Sequence, residues 1–488
     1  MRPRKVSIIR KALVIFLALF FSLPAHGRHN RNQENPAPVA YPPKLVEELD
    51  RLREAALSSD YAYRVTAYLC NNIGPRLSGT AQAERAVEYV AAEMRRLGLD
   101  VKLEKVMVPR WVRGAETGEL VEYPGQAAGT SQKIVLTALG GSVATPPEGI
   151  TAEVIVARSF EHLQSLGREK VAGKIVVFDY KFDRRLAEQG DAGEAYGRAA
   201  AYRYAGASAA ARLGGVAALN RSAGGSQNRL PHTGSMGYQE DAPKIPAGAI
   251  TNEDADLIAQ LTAQGRVRMK LTLTPRTLPD VESYNVVADI KGSEQPEQVV
   301  IVSGHLDSWD LGTGALDDAV GVAASMQVAN LIKQLGLRPR RTIRIIAWMN
   351  EENGLRGGRG YAADHASELA NHLAAIEMDV GAGHPAGIFA RASARAIEML
   401  RPLAAALQPI GAPIIRQVAG SPGADISPLD AAGVPTFAPI QDIRTYFDYH
   451  HTPADTLDKV KPRELAENAA VLALLAYAIA SMPEPLPR

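Results

Sequence analysis

The chain has 488 residues, more than one hydrophobic core usually serves, so two structural units are expected. Its 46% hydrophobic and 22% charged residues exclude a disordered or repetitive chain, and 54 cations against 53 anions leave no basic excess to suggest nucleic acid as a partner. A single cysteine, Cys70, excludes an intrachain disulfide.

Residues 1–27 begin with Arg2, Arg4, Lys5, Arg10 and Lys11, continue through an apolar run from Ala12 to Leu23, and end in Ala25-His26-Gly27. The run is too short for an ordinary membrane span and suits a secretory signal cleaved after Gly27; an uncleaved membrane anchor is the competing reading. Export to the periplasm or the medium is therefore expected, and a lone thiol is compatible with it. Residues 28–43 are polar and proline-bearing and read as a tether. Helical spacing follows at Lys44–Leu57 (Leu45, Leu49, Leu52), at Tyr61–Cys70, and at Ala83, Val87, Val90, Met94 and Leu97, where Gly98 should end the helix. A strand is expected at Val101–Val108, and residues 44–144 form the first part of the main domain.

Residues 145–275 have a different character. Strands are expected at Glu153–Ala157, Lys174–Tyr180 and Val267–Leu273, with a helix of small residues at Tyr204–Leu213. Every candidate ligand lies after this region and the helix around Val87 lies before it, so it reads as an inserted domain. His162 and His232, with no acidic partner at ligand spacing, are expected on the surface or in loops. Residues 276–488 complete the main domain.

Two nearly unbroken apolar runs, Val299–Val302 and Ile343–Met349, suit central strands covered on both faces. They deliver Ser303-Gly-His-Leu-Asp-Ser-Trp-Asp310 and Trp348-Met-Asn-Glu-Glu-Asn-Gly354 to strand ends, where open α/β sheets build their sites. Between them Gly314-Ala-Leu-Asp-Asp318 opens a helix carrying Val320, Ala324, Val328, Leu331 and Leu335 and closed by Gly336. Either aspartate could merely cap that helix. A strand at Ala374–Glu377 ends in Met378-Asp379, and one at Thr436–Ile440 leads through His450-His451 into a closing helix, Arg463–Ala480. A centre with two divalent metals needs a bridging carboxylate and further nitrogen or oxygen ligands from rigid element ends. His305, Asp317, Glu352, Asp379 and His451 supply that set. Asp307 can accept the second ring N–H of His305. Glu351 and Glu352 cannot both face one pocket from a straight strand, so the turn at Asn353-Gly354 is expected to aim one at a metal and the other beside a bound water. Met326, Trp348 and Met349 are expected in the core.

These runs resemble the co-catalytic dizinc exopeptidases, the family of bacterial leucine-type aminopeptidases and glutamate carboxypeptidases. Ile73-Gly-Pro-Arg-Leu-Ser-Gly79, Pro109-Arg-Trp-Val-Arg-Gly114, the run Pro146–Val154, Pro231-His-Thr-Gly234, Gly423-Ala-Asp-Ile426 and Ala432-Gly-Val-Pro435 are similar to its carboxypeptidase Q branch. The resemblance covers nearly all the chain after the tether. It implies an α/β fold, a mixed central sheet flanked by helices, with an inserted protease-associated α/β domain. It implies two Zn2+ per chain, His305 and Asp379 on one, Glu352 and His451 on the other, Asp317 bridging, and Glu351 as general base and then acid toward a metal-bound water. The implied substrates are dipeptides or short peptides with free ends, and the implied partner is a second copy in a homodimer, since relatives are often dimers. Ala424 stands where relatives often carry Ser or Thr, which leaves substrate preference open. Arg444 and Tyr446 are candidates for holding a substrate end. Two other classes stay open: a single-zinc cyclising acyltransferase like glutaminyl cyclase, and a non-catalytic binding module like transferrin receptor.

Overall fold

The computed structural model describes residues 39–488, so the expected signal and most of the tether lie outside the described residues. Within them, sixteen strands form two eight-stranded sheets. After β1 (Asp100–Val112) the chain builds the whole second sheet: β2 (Glu116–Glu122), β3 (Gln132–Ile134), β4 (Leu136–Ala138), β5 (Ile150–Ala157), β6 (Ile175–Phe178), β7 (Ala217–Arg221), β8 (Ala247–Ile250) and β9 (Arg268–Leu273). It then returns to the first sheet with β10 (Arg276–Ile290), β11 (Gln295–His305), β12 (Arg341–Trp348), β13 (His372–Glu377), β14 (Pro385–Arg391), β15 (Ile414–Gln417) and β16 (Thr436–Gln441). The antiparallel ribbon of β1 and β10, paired from Asp100↔Asp289 to Val112↔Arg276, is where the chain leaves the first sheet and re-enters it.

The first sheet has the order β1-β10-β12-β11-β13-β16-β14-β15. Its centre is parallel, β12 with β11, β11 with β13 and β13 with β16, so these four strands end on one side. Their apolar runs split by parity, because successive side chains on a strand point to opposite faces. Val300, Val302, Ile343 and Ile345 pack into a large core with the helices Val320–Gln334 and Pro462–Ser481. Val299, Ile301, Ile346 and Trp348 face Tyr361, Ile426 and Leu429 on the other side. At about 1.5–3 kcal/mol for each large side chain removed from water, this double covering fixes the strands that carry the site. Met326 and Met349 are buried as expected. Midway along β12 the buried Arg344 is neutralised by both oxygens of Asp289 at 2.7 and 2.8 Å and bonds Tyr361 Oη at 2.7 Å. The helix Pro462–Ser481 is long and apolar enough to cross a membrane, but its most apolar window is 89% buried in this core, which accounts for its composition.

The second sheet, in the order β3-β2-β9-β5-β6-β7-β8-β4, starts at Glu116. The expected boundary at residues 144–145 therefore falls inside it and is corrected. β2 to β4 are short and mostly polar outside Leu120, Ile134 and Leu136, so they show little apolar alternation, yet Gly118 pairs with Leu271 and Leu136 with Ile250. Two other expected limits also shift. The helix expected from Tyr204 begins at Ala192, because its first turns are alanine and glycine with no apolar stripe. The helix expected from Asp317 begins at Val320, because Asp317 and Asp318 take non-helical backbone angles.

Candidate metal centre

His305 is the last residue of β11, Glu351 and Glu352 follow β12, Asp379 follows β13, and the segment after β16 carries His450 and His451. The parallel register, with His305 beside Trp348 and Ser303 beside Glu377, brings these ends to one place. Asp317 comes from the turn before the helix Val320–Gln334. Gly304 permits this turn to approach, since a Cβ there would stand 2.5 Å from Asp318 Oδ2.

The five predicted ligands meet. His305 Nε2 lies 3.0 Å from Asp317 Oδ1 and 3.0 Å from Asp379 Oδ1. His451 Nε2 lies 3.1 Å from Asp317 Oδ2 and 3.0 Å from Glu352 Oε2. Asp317 thus presents one oxygen to each imidazole. Each ring is turned by its other nitrogen toward a main-chain carbonyl, Nδ1 of His305 toward Asp307 O at 3.0 Å and Nδ1 of His451 toward Thr233 O at 3.3 Å. Such a partner fixes the tautomer and leaves Nε2 as the inward-facing atom.

Three expectations are corrected. The carboxylate of Asp307 does not take the His305 ring proton, since its Oδ1 is 3.8 Å away and the carbonyl of the same residue is nearer. It instead accepts from Asn350 N at 2.8 Å, Glu351 N at 3.1 Å and Ser78 Oγ at 2.7 Å, which fixes the turn carrying the glutamate pair. Asn350 has φ 75° there, so the chain leaves strand geometry before the two glutamates. His232 is not a surface residue. It is buried in the loop after β7, and its Nε2 lies 3.2 Å from His450 Nδ1. Arg444, proposed for a substrate end, is exposed and engaged with Asp442, while Tyr446 is buried with its ring 5.0 Å from that of His450. His162 is half-buried at a helix start and keeps the peripheral place expected of it.

Several partners went unrecognised in the sequence. His450 stacks on His451 with centroids 3.6 Å apart and places Nε2 3.3 Å from Asp317 Oδ2. Asp455 accepts from Leu316 N at 2.7 Å and Asp317 N at 3.2 Å and so seats the shared aspartate. Thr233 N donates to His451 O at 2.9 Å, and Ser235 Oγ donates to Glu352 O, so one loop of the second sheet clamps two of the five. Trp309 and Asp310 lock the loop after His305 onto the same sheet. The indole lies against Gly140 and the carboxylate takes a two-pronged bond from Arg113 at 2.7 and 2.6 Å.

The donor set fits divalent cations. Three groups, His305 with Asp318 and Asp379, His305 with Asp317 and Glu352, and His232 with His450 and His451, each offer ligand atoms within 4.8 Å of one another. Asp317 Oδ2 is buried without a hydrogen bond, an orphaned anionic oxygen facing two imidazoles. Burial pushes the Glu351 and Glu352 carboxyls well above their ordinary range, and nearby carboxylates, Asp379 for Glu351 and Asp317 for both, push the same way. Burial opposes charge on Asp317 too, yet His450, His305 and His451 hold its carboxyl well below that range. A cluster of carboxylates this dry calls for positive charge to complete it.

Residues 285–476 match the family model described as Peptidase family M28. Carboxypeptidase Q of Bos taurus is 37% identical over 458 residues, which cover 93% of this chain and 93% of that protein. The crystal structure of a Peptidase M28 precursor from Shewanella amazonensis SB2B is 39% identical, with a TM-score of 0.86 over 91% of this chain and 98% of that one. A zinc aminopeptidase from Bacillus subtilis shares the fold at 22% identity and a TM-score of 0.62, over 86% and 95% of the two chains. With a likeness at this identity running almost end to end, and the family's matched segment containing the whole ligand cluster, the chain belongs to peptidase family M28.

Proposed function

We propose that this protein is an exported zinc exopeptidase that removes single residues from dipeptides or short peptides with free ends. The class follows from the family: the chain is a metallo-exopeptidase. The observation that carries the finer reading is the shared Asp317, one oxygen toward His305 and Asp379, the other toward His451 and Glu352. That arrangement supports two zinc ions per chain, with His305 and Asp379 on one, Glu352 and His451 on the other, and Asp317 between them. It favours a peptidase over a single-zinc cyclase, and the complete donor set argues against a receptor that has lost its chemistry.

Zinc, when bound, supplies Lewis acidity toward the scissile carbonyl and lowers the pKa of a coordinated water to about 7. Glu351 takes the proton of the attacking water and returns it to the leaving amine. Asp307 holds the glutamate's backbone in place through Glu351 N, and the carbonyls of Asp307 and Thr233 keep the two ligand imidazoles turned inward. The second sheet, read as the protease-associated insert, would overhang the centre and exclude folded proteins. Export rests on the segment 1–27.

Chelator-treated protein should lose hydrolysis of unblocked dipeptides, regain it with two equivalents of Zn2+, and show at least about 10²-fold lower kcat/KM when the more sensitive end of a good dipeptide is blocked. Efficient zinc-dependent cleavage inside a long peptide blocked at both ends would overturn the exopeptidase reading.

A further inference from the structure

The group formed by His232, His450 and His451 is all nitrogen, whereas the two groups around His305 each join one imidazole to two carboxylates. His232 Nε2 and His450 Nδ1 stand 3.2 Å apart, and both residues are buried. Two nitrogens bound tetrahedrally to one zinc at about 2.0–2.1 Å are separated by roughly 3.3 Å, so the gap that one proton spans also suits a metal ion. The ring of His451 completes the group, 3.6 Å from that of His450 and 5.2 Å from that of His232 between centroids.

Backbone bonds between segments of the two sheets hold the three rings together. Thr233 N donates to His451 O at 2.9 Å, Gly225 N donates to Phe447 O at 3.0 Å, and His232 N donates to Ser222 Oγ at 3.0 Å. Glycine at 224 permits the approach, since a Cβ there would stand 2.2 Å from Phe447 O and 3.1 Å from Cδ2 of His232. Tyr196 covers the group, its ring 5.5 Å from that of His232 and 5.0 Å from that of His450. The outer nitrogen of His232 sets it apart from His305 and His451, whose Nδ1 atoms each turn to a carbonyl. Nδ1 of His232 is buried with no hydrogen-bond partner among the described residues. No outer acceptor dictates which of its nitrogens carries the proton, so Nε2 is free to present a lone pair to the other two rings.

Resting on the two-zinc reading above, we propose that His232, His450 and His451 form an inhibitory cation site that takes one further zinc-like ion when such ions exceed the resident pair. Imidazole nitrogens suit Zn2+, Cu2+ and Ni2+, and a set without oxygen discriminates against Mg2+ and Ca2+. Inhibition follows from the shared ligand. His451 Nε2 faces Asp317 at 3.1 Å and Glu352 at 3.0 Å, so a cation that engages His451 beside His232 draws it from the second resident metal. The same cation engages His450, whose Nε2 stands 3.3 Å from Asp317 Oδ2. Activity then rises as the chain fills with two ions and falls as it takes another.

The test uses the full chain holding two zinc ions, freed of excess metal, as wild type, His232→Gln and His232→Phe. Zn2+, Cu2+ and Mg2+ are titrated in turn while dipeptide hydrolysis, bound metal per chain and, for Cu2+, the electron paramagnetic resonance spectrum are recorded. Wild type should bind one further Zn2+ or Cu2+ per chain, lose at least about 10-fold in kcat/KM as it does so, and ignore Mg2+. The bound Cu2+ should show coupling to at least two nitrogens. Both variants should keep two zinc ions and should need at least about 10-fold more Zn2+ for the same inhibition, because a ligand has gone. Wild type that binds no further ion overturns the proposal, as does inhibition equal in wild type and a variant that keeps its zinc. Release of resident zinc in step with Cu2+ uptake also overturns it, since the ion has then replaced a metal and filled no new site. Should both variants lose resident zinc, the wild-type spectrum decides, and coupling to fewer than two nitrogens counts against the site. A wild type that is fully active with one zinc ion per chain would instead sink the two-zinc reading, an outcome separate from all of these.

Discussion

Glu351→Gln should lower turnover of a good dipeptide by roughly 10²–10⁴-fold while zinc content and melting temperature hold. The structure separates the two neighbouring glutamates by what they face. Glu352 Oε2 is 3.0 Å from His451 Nε2 and its Oε1 accepts from Trp309 N at 3.1 Å, so it belongs to the ligand cluster. Glu351 is more exposed and is held through its backbone by Asp307. Glutamine keeps its shape and removes only the ability to carry a proton. Glu352→Gln should instead lose zinc. Metal analysis and steady-state kinetics on both variants decide the matter, and equal zinc loss in the two would refute the division of roles.

Asp317→Asn should strip both metals. Its two oxygens face different imidazoles, and an amide offers one oxygen and an N–H2 that cannot ligate. The affinity loss should exceed the roughly 10–100-fold that removal of an outer hydrogen-bond partner costs, and it should appear at both sites. Asp318→Asn makes the contrast. Asp318 is buried, with Oδ2 accepting from His305 N at 3.0 Å and Oδ1 from Gly321 N at 2.9 Å. An amide can accept from one of these donors and leaves the other unpaired, costing about 1–3 kcal/mol, more than the loss of an ordinary helix cap. We expect two zinc ions retained and a lower Tm for Asp318→Asn. Two tightly held zinc ions in Asp317→Asn would show that this aspartate does not bridge.

How much of this was legible in the sequence follows from where each interaction lies along the chain. The ligands stand immediately after apolar runs that can only be central strands, so local periodicity placed His305, Glu352 and Asp379 at the sheet's edge of ends. The role of Asp307 was misread because spacing cannot distinguish a residue's carboxylate from its own carbonyl, and in the fold the carbonyl is nearer the ring. His232 was misread for a different reason. Its partner His450 lies 218 residues away, in the segment after a strand of the other sheet, so nothing in its own neighbourhood marked it as buried. The same separation hid the clamp of Thr233 and Ser235. The early boundary of the second sheet was missed because β2 to β4 are short strands whose partners come from the far end of the segment.

The most direct measurement is anomalous diffraction at the zinc edge from crystals of the zinc-loaded protein. We expect two peaks, one contacted by His305 and Asp379 and the other by Glu352 and His451, with Asp317 contacting both. A single peak, or a pair in which Asp317 touches only one metal while His232 and His450 ligate the other, would contradict the shared-aspartate centre.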